Sequence, residues 1–238
     1  MRFSALATDY DGTIATHGLV DDDTLQALRR FKAAGRTLIL VTGRELPDLQ
    51  RVFPHLDLFE RIVAENGALL VRPAANEQFP LAEAPPEKFA DLLRQRGVSP
   101  LSVGRVIVAT TEPSESIVLQ TIRQLGLELQ VIFNKGSVMV LPSGVNKATG
   151  LAAALRELGI SKESVVAVGD AENDHTFLEF CGCAAAVDNA LPALKERADV
   201  VTRGRHGAGV AELINRILEN DLASLTPRLK PVKAPSAP

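Results

Sequence analysis

"ATDYDGTIATHG", residues 7–18, follows a short apolar run and sets Asp9 and Asp11 one residue apart, directly before Gly12 and Thr13. Asp-Gly is common turn chemistry, and aspartate side chains readily hydrogen-bond the backbone of a turn. Two readings are open: a turn, or a reaction centre at the end of a buried strand. The rest of the sequence decides between them.

The chain has 238 residues, 46% hydrophobic and 23% charged, an ordinary globular balance with enough apolar material for a substantial core. Its formal net charge is −3, with one Tyr and no Trp. A basic, aromatic-interleaved surface is missing, so nucleic acid is not an expected partner. No apolar run approaches the roughly 18 residues of a membrane span, and "MRFSALATDY" does not read as a signal peptide. Cys181 and Cys183 are too few and too close for a disulfide framework. The expectation is a cytoplasmic chain with no membrane partner.

Strand-like and helix-like segments alternate through the first part. "FSALAT" (3–8) ends at the aspartates. Asp21, Asp22 and Asp23 open a helix, where negative charge suits the positive end of the dipole, and Gly35 ends it. "TLILV" (37–41) stops at Thr42-Gly43-Arg44, Pro47 starts another helix, and "IVA" (62–64) leads into Glu65-Asn66-Gly67. The pattern returns with a helix over 147–158, strands at 165–168, 184–187 and 200–202, a helix near 190–197, and a closing helix over 209–218. Such alternation predicts a Rossmann-like, doubly wound α/β core around a parallel sheet.

Between these parts the texture changes. A Pro- and Ala-rich connection (72–87) precedes a helix (86–96), a strand (105–110), a helix (114–125) and two strands (129–133 and 137–142) joined at Asn134-Lys135-Gly136. The expected division is a core from 1–80 and 144–222, an inserted α+β module from 81–143, and a disordered tail from 223–238, rich in proline and lysine.

In an open parallel sheet, ligands bind beyond the carboxyl ends of the strands. Four such places carry polar groups: Asp9/Asp11, Thr42-Gly43-Arg44, Glu65/Asn66 and Asp170/Asn173/Asp174. In "GDAEND" (169–174), three carboxylates within five residues repel one another unless a cation is near. Lys147 stands in a first helical turn, where its charge opposes the dipole and favours a functional reason for its presence. Taken singly, each has a bland explanation as turn, helix start or solvated lysine. Their joint occurrence at strand ends favours a reaction centre.

"DYDGT", "TGR", a lone lysine and "GDAEND", in this order, resemble the four signature motifs of the haloacid dehalogenase superfamily of phosphohydrolases. The long insert between the second and third motifs, "ENGA" (65–68), and "AVDNALPALKERADVVT" (186–202) resemble its type IIB, Cof-like sugar phosphatase branch. The resemblance covers 1–75 and 145–218 well, and in the insert only position and size. It implies a Mg²⁺-dependent phosphatase acting on a small phosphorylated metabolite, a sugar phosphate or a phosphoglycolate-like acid. By the same resemblance Asp9 is the nucleophile and Asp11 the proton donor and acceptor, both aimed to one side by their two-residue spacing. Mg²⁺ is then held by Asp9, the Asp11 carbonyl and Asp170, with Asp174 behind, holding a metal-bound water or Lys147. Thr42, Gly43, Lys147, Asn173 and backbone N–H groups near Gly12 are assigned to the phosphoryl group, and Arg44 to the substrate or to bracing its loop.

Rival readings fare worse. A calcium loop started at Asp9 puts Ile14 and Val20 where Gly and Glu are needed, and one started at Asp170 puts His175 and Cys181 there. There is no Walker A sequence, no nucleophile elbow and no zinc spacing among His17, His55, His175 and His206. Cys181-Gly-Cys183 reads as buried packing, and "GRHGAG" (204–209) as a loop before the last helix. A sugar phosphomutase using the same aspartyl-phosphate, or a phospho-aspartate switch module, are the remaining alternatives. Substrate selection falls to the insert, with Arg105, Lys135 and Ser137 as candidates.

Overall fold

The elements follow from local sequence chemistry, and the computed structural model of the chain describes residues 1–223. Among these the strands are β1 (Ala5–Thr8), β2 (Thr37–Val41), β3 (Arg61–Ala64), β4 (Leu69–Arg72), β5 (Glu77–Pro80), β6 (Leu101–Val103), β7 (Val108–Thr111), β8 (Leu129–Asn134), β9 (Ser137–Pro142), β10 (Val165–Gly169), β11 (Cys183–Ala186) and β12 (Val200–Val201). The α-helices are α1 (Asp22–Ala33), α2 (Leu46–Val52), α3 (Glu87–Gln95), α4 (Glu115–Leu125), α5 (Lys147–Leu158), α6 (His175–Phe180), α7 (Pro192–Arg197) and α8 (His206–Asn220).

Helix α1 begins where Asp21 accepts a hydrogen bond from the Thr24 N–H at 2.7 Å, and its charges run from acidic at the start to Arg30 and Lys32 at the end. Leu25, Ala27, Leu28 and Phe31 form its buried stripe, facing α8 and β2. Helix α5 is fixed by a capping box in which Asn146 accepts from the Ala148 and Thr149 N–H groups and Thr149 reaches back to the Asn146 N–H. These caps set where each helix starts, and so where Lys147 stands.

The described residues form two sheets. The larger has the order β12-β11-β10-β1-β2-β3-β4-β5; it is parallel through β3, while β4 and β5 add antiparallel strands at one edge. Its central strands are buried along their length, as a parallel sheet covered on both faces requires. Strand β1 lies between β10 and β2, with Thr8 opposite Val168 and Leu40, so the chain leaves three neighbouring strands at one edge of the sheet. The smaller sheet, order β6-β7-β9-β8, is antiparallel throughout. It carries its own apolar cluster of Phe89, Leu93, Val98, Val108, Val118, Ile122, Val138 and Val140 with α3 and α4. Each such fully buried side chain contributes about 1.5–3 kcal/mol relative to exposure. The architecture is the expected α/β core with an inserted α+β module.

Some details differ from expectation. The connection over 72–87 holds most of a hairpin, β4–β5, whose second strand is exposed and shows no apolar alternation. The strand expected from Arg105 starts at Val108, because the N–H groups of Arg105, Val106 and Ile107 all go to the Glu65 carboxylate instead of a ladder. Strand β6 has no counterpart among the expected elements; it is three residues long and mostly exposed. Helix α8 starts at His206, so "GRHGAG" is only partly loop. Both cysteines are buried, as the packing reading required. The tail expected to be disordered lies outside the described residues, apart from Ala223. Among the described residues, no helix is long and apolar enough to cross a membrane.

Candidate active site

Beyond the carboxyl ends of β1 and β10, Lys147 lies between two aspartates. Its ammonium is 2.6 Å from Asp9 Oδ1 and 2.5 Å from Asp174 Oδ1. Only 1% of the lysine side chain is exposed, and the Phe177 ring lies 5.7 Å from its nitrogen. A buried charge persists only when paired, and here a cation between two carboxylates satisfies that need. The dipole conflict at the start of α5 is resolved the same way: the ammonium is drawn off the helix into the acidic centre. Asp174 also accepts from the backbone N–H groups of Asp170 (2.8 Å) and Ala171 (2.9 Å) through Oδ2, which locks the "GDAEND" turn.

Asp9, Asp170 and Asp174 each offer an oxygen within 4.8 Å of the others, and all three are buried. Burial first, then the charge of Asp174, pushes the Asp9 carboxyl up to about 7, while Lys147 pulls it back. Burial likewise raises Asp170, against the opposing pull of Lys135. Carboxylates forced upward in this way are short of positive charge. The donor set is hard oxygen, which suits Mg²⁺. A second observation agrees: the Lys135 ammonium, from the β8–β9 hairpin, sits 2.8 Å from Asp170 Oδ2 and 2.9 Å from the Asp11 carbonyl. A cation therefore already stands against this oxygen pair, and the residues present fit a divalent ion.

Gly12 makes the approach possible. With φ at +88°, it takes a conformation glycine tolerates, and a Cβ there would collide with the Asp170 carboxylate and lie 2.6 Å from the Lys135 nitrogen. Its own N–H, however, donates to the Ala15 carbonyl at 2.9 Å and is not turned to a ligand. What Gly12 supplies is room. Its carbonyl is held by Asn189 Nδ2 at 2.8 Å and lies 2.9 Å from His206 Nδ1, and the His206 N–H donates to Asn189 Oδ1 at 2.7 Å. Sequence reasoning misses these two supports, although both lie in stretches singled out for other reasons.

Asp9 and Asp11 line one chamber of about 460 Å³, with Gly43, Arg44, Asp48, Arg51, Ala171 and Asn173 from the core and Ser102, Ile107, Ala109, Asn134 and Ser137 from the insert. The pleat of a strand is not what aligns the two aspartates. Strand β1 ends at Thr8, and Asp11 sits in the following turn, bridged to Ala15. The Asp11 carboxylate is gripped by the Arg44 fork at 2.6 and 2.7 Å. Arg44 in turn binds Asp48 and stacks 5.4 Å from the Tyr10 ring centre, so in this structure it braces the loop. The hydrogen bond to Asp11 is the chief cause that raises Arg44 above its ordinary value.

Thr42 is buried, and its hydroxyl oxygen accepts the Arg44 N–H at 3.1 Å, which leaves the hydroxyl proton to point elsewhere. Gly43 lies on the chamber wall with room for a Cβ. Asn173 donates to Asn66 Oδ1 at 2.9 Å, and Asn173 Oδ1 and Asn66 Nδ2 are buried with no hydrogen-bond partner. Orphaned polar atoms cost about 1–3 kcal/mol each, a cost that a bound polar ligand removes. Asn66 belongs to the Glu65-Asn66-Gly67 turn, where all three residues have positive φ. At Gly67 a Cβ would collide with the Asn146 carbonyl, so the turn packs directly on the cap of α5. Of the insert candidates, Lys135 reaches the acidic centre and Ser137 lines the chamber. Arg105 is tied through its backbone to Glu65.

An acidic centre at the carboxyl ends of a parallel sheet, with an inserted α+β module over it, defines an α/β enzyme with a carboxylate-centred site. The family described as haloacid dehalogenase-like hydrolase matches residues 6–101 and 100–214, and the chain belongs to that family. It is 33% identical to the phosphoglycolate phosphatase of Methanothermobacter thermautotrophicus, over 90% of this chain and 98% of that protein. With phosphoglycolate phosphatase 2 of Saccharolobus solfataricus it shares 29% identity, over 91% and 93% respectively. A haloacid dehalogenase-like hydrolase from Bacteroides thetaiotaomicron superposes with a TM-score of 0.77 at 20% identity, covering 90% of this chain and 99% of that one. A haloacid dehalogenase subclass IIB sugar phosphatase does so at 0.73, with 20% identity and coverage of 90% and 98%. At these identities the structural likeness concerns the fold.

Proposed function

We propose that the chain is a Mg²⁺-dependent phosphatase, a phosphoric monoester hydrolase that releases phosphate from phosphoglycolate or a similarly small phosphorylated acid through an aspartyl-phosphate on Asp9. The observation that carries the reaction class is the Asp9–Lys147–Asp174 arrangement, opening on a chamber that also holds Asp11. Similarity over nearly full length to proteins named phosphoglycolate phosphatase supports the substrate. In this reading residues 81–143 form a cap over a core of 1–80 and 144–222, and the protein works in the cytoplasm.

Lys147 holds Oδ1 of Asp9, which leaves Oδ2 as the attacking atom. Its attack forms an O–P bond as the ester P–O bond breaks, and the departing oxygen takes a proton from Asp11. Asp11 next takes a proton from a water whose oxygen attacks phosphorus, and the Asp9–phosphorus bond breaks to free phosphate. Asp11 is 42% exposed, so passing between the Arg44 fork and the leaving oxygen costs little desolvation. Mg²⁺ held by Asp9, the Asp11 carbonyl and Asp170, with Asp174 behind, would supply the positive charge that the phosphoryl oxygens demand. Lys147 and the Thr42 hydroxyl bind the same oxygens, while the unpartnered Asn173 Oδ1 on the chamber wall is an acceptor, suited to an O–H group or a cation and not to a phosphoryl oxygen.

The test is phosphate release from phosphoglycolate, hexose phosphates and an aryl phosphate, each with Mg²⁺ and with a chelator. Metal-dependent turnover favouring phosphoglycolate by tenfold or more in kcat/KM, about 1.4 kcal/mol of discrimination, supports the reading. Turnover indifferent to metal, or confined to hexose phosphates, contradicts it.

A further inference from the structure

The Asn134-Lys135-Gly136 turn holds a feature the reaction does not require. Strands β8 and β9 pair to the end of the hairpin, with Asn134 opposite Ser137, so Lys135 and Gly136 form a two-residue loop. Both have positive φ, +48° and +80°. Such loops favour Asn, Asp or Gly at the first position, and a lysine there is held in a left-handed conformation at some cost. Its side chain does not run into solvent. It crosses from the insert to the core and ends at Asp170 Oδ2 (2.8 Å) and the Asp11 carbonyl (2.9 Å). These are two of the three oxygen sources assigned above to the divalent ion.

We propose that Lys135 is a tethered cation that competes with the divalent metal for Asp170 and the Asp11 carbonyl, so that metal binding requires the ammonium to leave and the hairpin to loosen from the core. The inference rests on the metal reading of the site. Two cations cannot share one pair of oxygens at hydrogen-bonding distance without strong repulsion. Lys147 cannot be the one to leave, because it is buried between Asp9 and Asp174. Lys135 can, because 45% of its side chain is already exposed and release restores full hydration. The residues that close the two-residue loop, Asn134 and Ser137, line the chamber, so loosening the hairpin opens that wall. Metal-free protein is thus held closed by its own lysine, and metal-loaded protein is freed to open.

The experiment is calorimetric titration of MgCl₂ into the full chain and into Lys135→Gln and Lys135→Asn, the second chosen because Asn suits the left-handed turn. Lys162→Gln removes the same charge from the opposite end of β10, and Asp170→Asn removes a ligand. Both Lys135 variants should bind Mg²⁺ about fivefold tighter or more, with Lys162→Gln unchanged. Added Mg²⁺ should also speed amide hydrogen exchange in residues 133–137 of the unaltered chain. Equal or weaker Mg²⁺ binding by the Lys135 variants overturns the proposal, as does the same tightening in Lys162→Gln, which would make net charge the cause. If Asp170→Asn binds Mg²⁺ as well as the unaltered chain, the metal reading itself fails and the proposal goes with it.

Discussion

The Lys147 ammonium and Asp9 Oδ1 lie 2.6 Å apart with both side chains buried, a direct link between α5 and the end of β1. Asp174, on the other side of the ammonium, completes a cation between two carboxylates. Removing the lysine leaves two buried carboxylates facing each other. Lys147→Gln should lower stability by about 3–5 kcal/mol, the usual cost of breaking a buried pair from one side. Urea unfolding checks this. A loss under about 1 kcal/mol, the range of exposed pairs, would mean that water reaches the centre.

A divalent ion replaces missing positive charge, so it should stabilise the folded chain by mass action. At one hundred times its dissociation constant, Mg²⁺ should add about 2.7 kcal/mol. Thermal unfolding with increasing MgCl₂ should show Tm rising, and the rise should vanish in Asp170→Asn.

The Glu65 carboxylate accepts the N–H groups of Arg105, Val106 and Ile107 at 2.8, 2.7 and 2.9 Å, tying the β6–β7 connection of the insert to the turn after β3. In Glu65→Gln an amide N–H₂ would face at least one of those donors. The expected loss is about 1–3 kcal/mol, together with faster proteolysis near residues 104–107. Unchanged proteolysis would show that other contacts hold the insert.

Arg36 and Asp221 pair at 2.5 Å, joining the residue before β2 to the cap that ends α8. Burial raises the Asp221 carboxyl, but hydrogen bonds from Arg36 and the Arg2 N–H outweigh it and hold the group below its ordinary 3.8. A carboxyl lowered on folding stabilises the fold above its unfolded value, and the benefit is lost as pH falls through the folded one. Asp221→Asn should therefore lower Tm at pH 7. The gap to the unaltered chain should close in acid, as pH falls below that ordinary value and through the lowered one. A gap independent of pH would assign the effect to shape instead of charge.

Much of this is legible in residue order. "TLILV" and the helix over 147–158 emerge with their bounds unchanged, because each is a buried apolar run or a capped helix whose ends are written in turn chemistry. Asp9, Asp170 and Asp174 are legible because strand ends place polar groups at one edge of a parallel sheet, and Lys147 because its charge opposes the dipole at a helix start. The β4–β5 hairpin is not, since an exposed edge strand carries no apolar period. Nor is the pairing of Arg44 with Asp11, 33 positions away, or the support of the Gly12 carbonyl by Asn189 and His206. These contacts arise from the meeting of distant loops, and local patterning has no term for them.

The step on which the rest depends is the attack of Asp9 on phosphorus. Asp9→Asn keeps the shape and removes the attacking charge, so Mg²⁺-dependent phosphate release from phosphoglycolate should be measured for it beside the unaltered chain. The expected result is turnover in the unaltered chain and a loss of about a thousandfold or more in the variant, some 4 kcal/mol of barrier, with the variant still folded because Lys147 keeps Asp174 as its partner. Turnover by Asp9→Asn as fast as by the unaltered chain would contradict the mechanism.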